Sequence, residues 1–123
     1  MVATALPIIT PLGSYPALPI TPAGMDFVFT AGDSVNGNSF VSTGREVVIV
    51  QNTAAGAGTV TFTSVADGIN RIGDITTYSV GVALFSLFGP FLKTGWANTS
   101  GLVTLTCSAV TMKFAVVRLP SIQ

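Results

Sequence analysis

The sequence predicts an all-β chain: a single β-sandwich, jelly-roll-like in its strand order, preceded by an extended proline-rich N-terminal arm. Three observations carry that expectation. Short runs of alternating apolar and polar residues, rich in β-branched types, recur from Met25 to Leu119. Clusters of Gly, Asn, Asp and Ser punctuate them at the spacing of a sandwich or jelly roll, and no run shows helical periodicity with caps. Five of the seven prolines precede Gly24, which sets residues 1–24 apart as an arm and 25–123 as the sandwich domain.

In the arm, Leu6-Pro7-Ile8-Ile9-Thr10-Pro11 is echoed by Leu18-Pro19-Ile20-Thr21-Pro22. Proline fixes φ, so this segment loses less entropy on docking than an ordinary chain. Unlike polar linkers it carries apolar side chains. Leu6, Pro7, Ile8, Ile9, Tyr15, Leu18, Pro19 and Ile20 are therefore expected anchors on a neighbouring subunit or shell. The prolines also exclude a membrane-spanning helix here, and Met1-Val2-Ala3-Thr4 lacks the positive region of a secretory signal.

Strands are expected at Met25–Thr30, Ser39–Ser42, Arg45–Asn52, Thr59–Ser64, Asp74–Val80, Val82–Phe88, Leu102–Ser108 and Met112–Leu119. Within them, Val60 and Phe62 share one face against Thr59, Thr61 and Thr63. Val103, Leu105 and Cys107 form the better core face of the next-to-last run. Val47–Val50 and Phe114–Val117 are continuously apolar, so both faces of these strands need cover. Val47, Ile49, Phe114 and Val116, with Trp96, are the expected contacts of the domain with other subunits.

Composition supports a chain that lives in an assembly. Charged residues make up 8% and hydrophobic ones 49%, where ordinary usage of about 25% charged would place roughly thirty. A surface so poor in charge points to a closed homo-oligomer. The net charge is zero and no basic stripe exists, which argues against nucleic acid as a partner.

The same composition points away from catalysis, cofactors and metals. There is no histidine, the commonest general base and metal ligand. Lys93 and Lys113 stand in no SxxK motif. Nothing selects a catalytic pair among Asp26, Asp33, Glu46, Asp67 and Asp74. Asp67, Asn70 and Asp74 could offer oxygens to calcium, but EF-hand spacing is absent and Arg71 competes for the carboxylates. Gly56 and Gly58 precede no helix that would complete a phosphate cradle. Cys107 reads as a small buried hydrophobe. Trp96 fits a core edge or interface, or a platform stacking on a sugar.

A resemblance adds to this reading. The chain has Phe29-Thr30-Ala31-Gly32-Asp33, then Gly44-Arg45-Glu46-Val47-Val48-Ile49-Val50-Gln51-Asn52-Thr53. Thr59-Val60-Thr61-Phe62, Arg71-Ile72-Gly73-Asp74, Gly89-Pro90-Phe91 and Ala115-Val116-Val117-Arg118-Leu119 follow. From about Asp26 to Leu119 it resembles the small capsid decoration (cement) proteins of tailed phages. That resemblance implies a structural virion protein on the outer surface of the capsid, stabilising contacts between capsomers. It implies the major capsid protein as partner, a homotrimer, no catalytic residues and no cofactor. The alternative is a head-fibre or tail-associated module that recognises a host-surface glycan through its loops and Trp96.

Overall fold

The computed structural model describes residues 3–10, 27–66, 69 and 73–119. Among them the chain is nearly all β, in two mixed sheets packed face to face. In the first sheet the order is β1 (Thr4–Ala5), β4 (Asn38–Val41), β9 (Leu102–Cys107), β6 (Gly58–Thr63) and β7 (Ile75–Val80). In the second it is β2 (Ile8–Ile9), β10 (Met112–Arg118), β5 (Glu46–Asn52) and β8 (Phe85–Phe88). β3 (Thr30–Ala31) lies antiparallel along the other half of β10. The pairings β1–β4 and β2–β10 are parallel and the others antiparallel.

In β6 and β9 the core forms where the alternation predicts it. Val48 and Val50 of β5, Val60 and Phe62 of β6, and Val103 and Leu105 of β9 are all buried. Met112, Phe114 and Val116 of β10 join them from the second sheet. An aromatic column binds the two sheets. Phe62 meets Phe88 at 4.8 Å and Phe91 at 5.0 Å between ring centroids. Tyr78 stands edge-on to Phe88 at 5.2 Å, and Phe40 lies 6.1 Å from Phe91. Such pairs add roughly 0.5–1.5 kcal/mol each beyond the area they bury.

Polar residues are also built into the interior, Glu46 and Asn52 among them. Glu46 is fully buried at the start of β5, directly across from Arg118 of β10. Its carboxylate accepts from Arg118 Nε (2.5 Å), Thr43 N–H (2.7 Å) and Thr43 Oγ1 (2.6 Å). Asn52 closes the other end of β5. Its Nδ2 donates to the carbonyls of Gly56 and Val80, both at 2.9 Å, tying the second sheet to the end of β7.

Several expected boundaries move, each for a visible reason. The N-terminal residues that read as arm contribute a strand to each sheet. β1 joins the first, Leu6 N–H donates to Ser39 O at 2.8 Å, and β2 joins the second. Pro7, which has no N–H, falls where the chain leaves one sheet for the other. Leu6 is buried in this chain's own core, so it is not an anchor for a partner. Of the expected Met25–Thr30 strand, the described residues place only Thr30 in a ladder, with Ala31 in β3: Phe27 and Phe29 pack tilted on each other (5.7 Å) and Phe29 on Phe85 (5.9 Å) instead of alternating along a ladder. Met25 and Asp26 lie outside the described residues. The Val82–Phe88 strand starts only at Phe85, because Leu84 N–H turns back to Gly81 O at 3.1 Å. A single helical turn at Lys93–Trp96 is the one helical element among the described residues, and its interior leaves helical geometry at Thr94 and Gly95.

Candidate interaction surface

The two outer faces of this structure differ sharply in chemistry. On the first sheet the outward positions are hydroxyl-rich: Thr61 stands opposite Thr106, and Thr63 opposite Thr104. On the second sheet they are apolar. One row runs Leu87, Ile49, Ala115, and the next joins Val47 to Val117 and Ile9. Gln51 and Lys113 supply polarity only in the row of Phe85, at the end where Phe29 packs on that ring. The cause lies in the sequence: β5 and β10 are apolar at successive positions, so strand geometry must turn half of those side chains outward.

Exposure rises towards β8. Ala115 is buried, Val47, Ile49 and Val117 are half-buried, but Phe85 is 58% and Leu87 69% exposed. Val82 and Leu84, in the turn before β8, are also exposed. A contiguous uncharged apolar edge of this kind is a candidate interaction surface.

The expected contact residues divide accordingly. Val47 and Ile49 lie on the apolar outer face. Ile8 and Ile9 are half-buried beside β10, and Pro7 is exposed. Phe114 and Val116 are core residues, 1% and 0% exposed. The continuous apolar run hid which half of β10 faces inward, and the register with Val50 and Val48 turns these two inside. They are unavailable to a partner. Trp96 is half-buried, edge-on to Phe91 at 4.9 Å, so its ring serves the core rim. Tyr15, Leu18, Pro19 and Ile20 lie outside the described residues. Phe85 and Leu87 were not singled out from sequence, although the density of apolar residues in Val82–Phe88 was the available signal.

The described carboxylates, Asp33, Glu46 and Asp74, are occupied by structural hydrogen bonds. Asp33 is held at about 2 by the N–H of Asn36 and the hydroxyl of Thr4, with Val35 N–H and the Asn36 amide assisting. Its oxygens thereby close the turn into β4 and fix β1. Asp74 is lowered by Ser64, whose hydroxyl (2.6 Å) and N–H (2.8 Å) both donate to it. At Glu46 burial opposes ionisation, but Thr43 and Arg118 outweigh it and hold the carboxyl at about 2. Burial pushes the Cys107 thiol up, with the nearby Asp33 charge acting the same way, a setting that disfavours the nucleophilic thiolate. Among the described residues no group of three His, Cys, Asp or Glu side chains converges to hold a metal, and no helix is long and apolar enough to cross a membrane.

No protein-family model matches the chain, and no match to it exists among the curated proteins or the solved structures.

Proposed function

We propose that this chain is a structural subunit of a virion, a decoration (cement) protein that binds the outside of a tailed-phage head and stabilises contacts between capsomers. The observation that carries the reading is the apolar outer face of the second sheet, ending in exposed Phe85 and Leu87, on a chain with only 8% charged residues. Large apolar side chains turned to solvent gain about 1.5–3 kcal/mol each when a partner covers them fully, and permanent interfaces resemble a core cut in half. The hydroxyl-rich face of the first sheet supplies the opposite, solvated side. The charge-poor composition supports a homo-oligomer, and a trimer is the state that the resemblance implies. In this reading the strand order is jelly-roll-like. The proline-rich stretch with Tyr15, Leu18, Pro19 and Ile20 contributes contacts to a neighbouring subunit or to the major capsid protein.

The test is stoichiometry on the particle. Purified protein added to heads that lack it should saturate at hundreds of copies and raise the temperature at which the heads release DNA. Saturation at a few dozen copies confined to one vertex or the tail, with no gain in heat resistance, would favour a receptor-binding module instead.

A further inference from the structure

The edges of the two sheets are not equally protected. β7 carries a register shift opposite Val60 and Phe62, and Thr77 has a φ of 45° with its N–H turned onto Thr61 Oγ1. That irregularity blunts the edge of the first sheet. β1, β2 and β3 are two residues long. β8 has none of these defences. Its sequence is Phe-Ser-Leu-Phe, with no charge, proline or bulge, and among the described residues β5 is the only strand that pairs with it.

Hydrogen-bond alternation shows which groups β8 presents outward. Asn52 N–H donates to Leu84 O at 3.1 Å, so position 84 is a bonded pair with β5, and Ser86 and Phe88 are the next ones. The N–H and C=O groups of Phe85 and Leu87 therefore point away from β5, along the same edge that exposes their side chains.

We infer that β8 pairs antiparallel with β8 of a second copy, about a two-fold axis at Ser86, so that the second sheet continues across both molecules. This register is the one that uses every outward group. Phe85 of each copy faces Leu87 of the other, and the two facing pairs exchange four backbone hydrogen bonds. It also keeps Phe85 and Leu87 on a common outer face, as a two-fold normal to the sheet requires. A register centred on Leu87 would set Phe85 against Gly89, whose φ of 100° is not that of a strand. No charge on β8 opposes the approach of its own copy.

Area sets the strength of the contact. With about 150–250 Å² per aromatic side chain, covering the whole exposed fractions of Phe85, Leu87, Leu84 and Val82 would bring the two copies to at most about 800 Å². That lies below the roughly 1,200 Å² of stable complexes. The pair is therefore reversible in solution and favoured where copies are held at high local concentration. The inference goes beyond the decoration reading and does not depend on it.

The test uses the full chain. Ser86→Cys places two thiols across the axis at a non-hydrogen-bonded pair, where Cα atoms sit about 4.5 Å apart, within the 4.4–6.8 Å range of disulfides. Mild oxidation at high protein concentration should give a covalent dimer with an 86–86 linkage by peptide mass spectrometry; the parent protein, with only Cys107, should not. In sedimentation equilibrium the parent's average mass should rise towards twice that of the monomer with concentration. Leu87→Lys should weaken this at least tenfold, and Thr76→Lys on β7 should leave it unchanged. An S86C protein that stays uncrosslinked while the parent self-associates overturns the pairing, as does an L87K variant that associates like the parent. A trimer without the 86–86 bond would overturn it and leave the decoration reading standing. A crosslinked dimer that fails to bind phage heads would do the reverse.

Discussion

Replacing Glu46 by Gln should cost the protein stability in a way that depends on pH, and the structure fixes the sign. The Glu46 carboxyl, ordinarily near 4.5, is held at about 2 against the cost of burial by Thr43 and Arg118. A carboxylate with a depressed pKa stabilises the fold above its unfolded value and loses that contribution as pH falls towards its folded value. A carboxyl lowered from 4.5 to about 2 corresponds to about 3 kcal/mol at neutral pH, in line with the roughly 3–5 kcal/mol expected on breaking a buried ion pair. At pH 3 less than half of it remains. The gap in unfolding free energy between parent and E46Q should therefore shrink by about 2 kcal/mol between pH 7 and pH 3. Asp33 and Asp74, also lowered, titrate in both proteins and cancel in the difference. Urea denaturation followed by Trp96 fluorescence, at half-unit steps of pH, would measure it. A gap that stays constant across this range would refute the argument that the ionised carboxylate is what Thr43 and Arg118 stabilise.

Further outcomes follow from packing. Phe62→Ala, which removes the ring joining Phe88 to Phe91, should cost about 3–5 kcal/mol in chemical denaturation. Leu6→Ala should cost about 2–5 kcal/mol, because Leu6 is core; an effect below about 0.5 kcal/mol would return it to the arm. Gly32→Ala should destabilise by about 1–3 kcal/mol, since a Cβ there would stand 2.6 Å from Cys107 Sγ and 2.8 Å from the Phe114 ring. Cys107 should react slowly with maleimide at pH 7 and more quickly in E46Q only if that variant opens the sandwich.

The central strands were legible in the sequence because each carries its own pattern. β6 and β9 alternate cleanly, and both chose the face that Val60, Phe62, Val103 and Leu105 turn inward. Less could be read where the pattern is degenerate or the partner remote. In Phe114–Val117 every position is apolar, so only the register with β5 decides which residues are core. β1 and β2 are two-residue strands held by pairing with segments far along the chain, and proline content masked them. The ion pair joins residues separated by 72 positions, a distance over which no local periodicity speaks. Of the interaction surface, Val47 and Ile49 could be named from composition, but the exposed edge at Phe85 and Leu87 depends on β8 ending the sheet, which is a fact of topology.

The lacing of residues 4–9 across both sheets has a consequence for the order of folding. β10, the last described strand in chain order, is the one to which β2, β3 and β5 all attach. During synthesis the N-terminal residues therefore wait, with Leu6 and Ile8 uncovered, until Met112–Arg118 leaves the ribosome. Contacts this distant in sequence make for slow folding. The nascent chain exposes the β5 edge that β10 will cover through that interval, which makes it a natural client for a holding chaperone until β10 closes the second sheet.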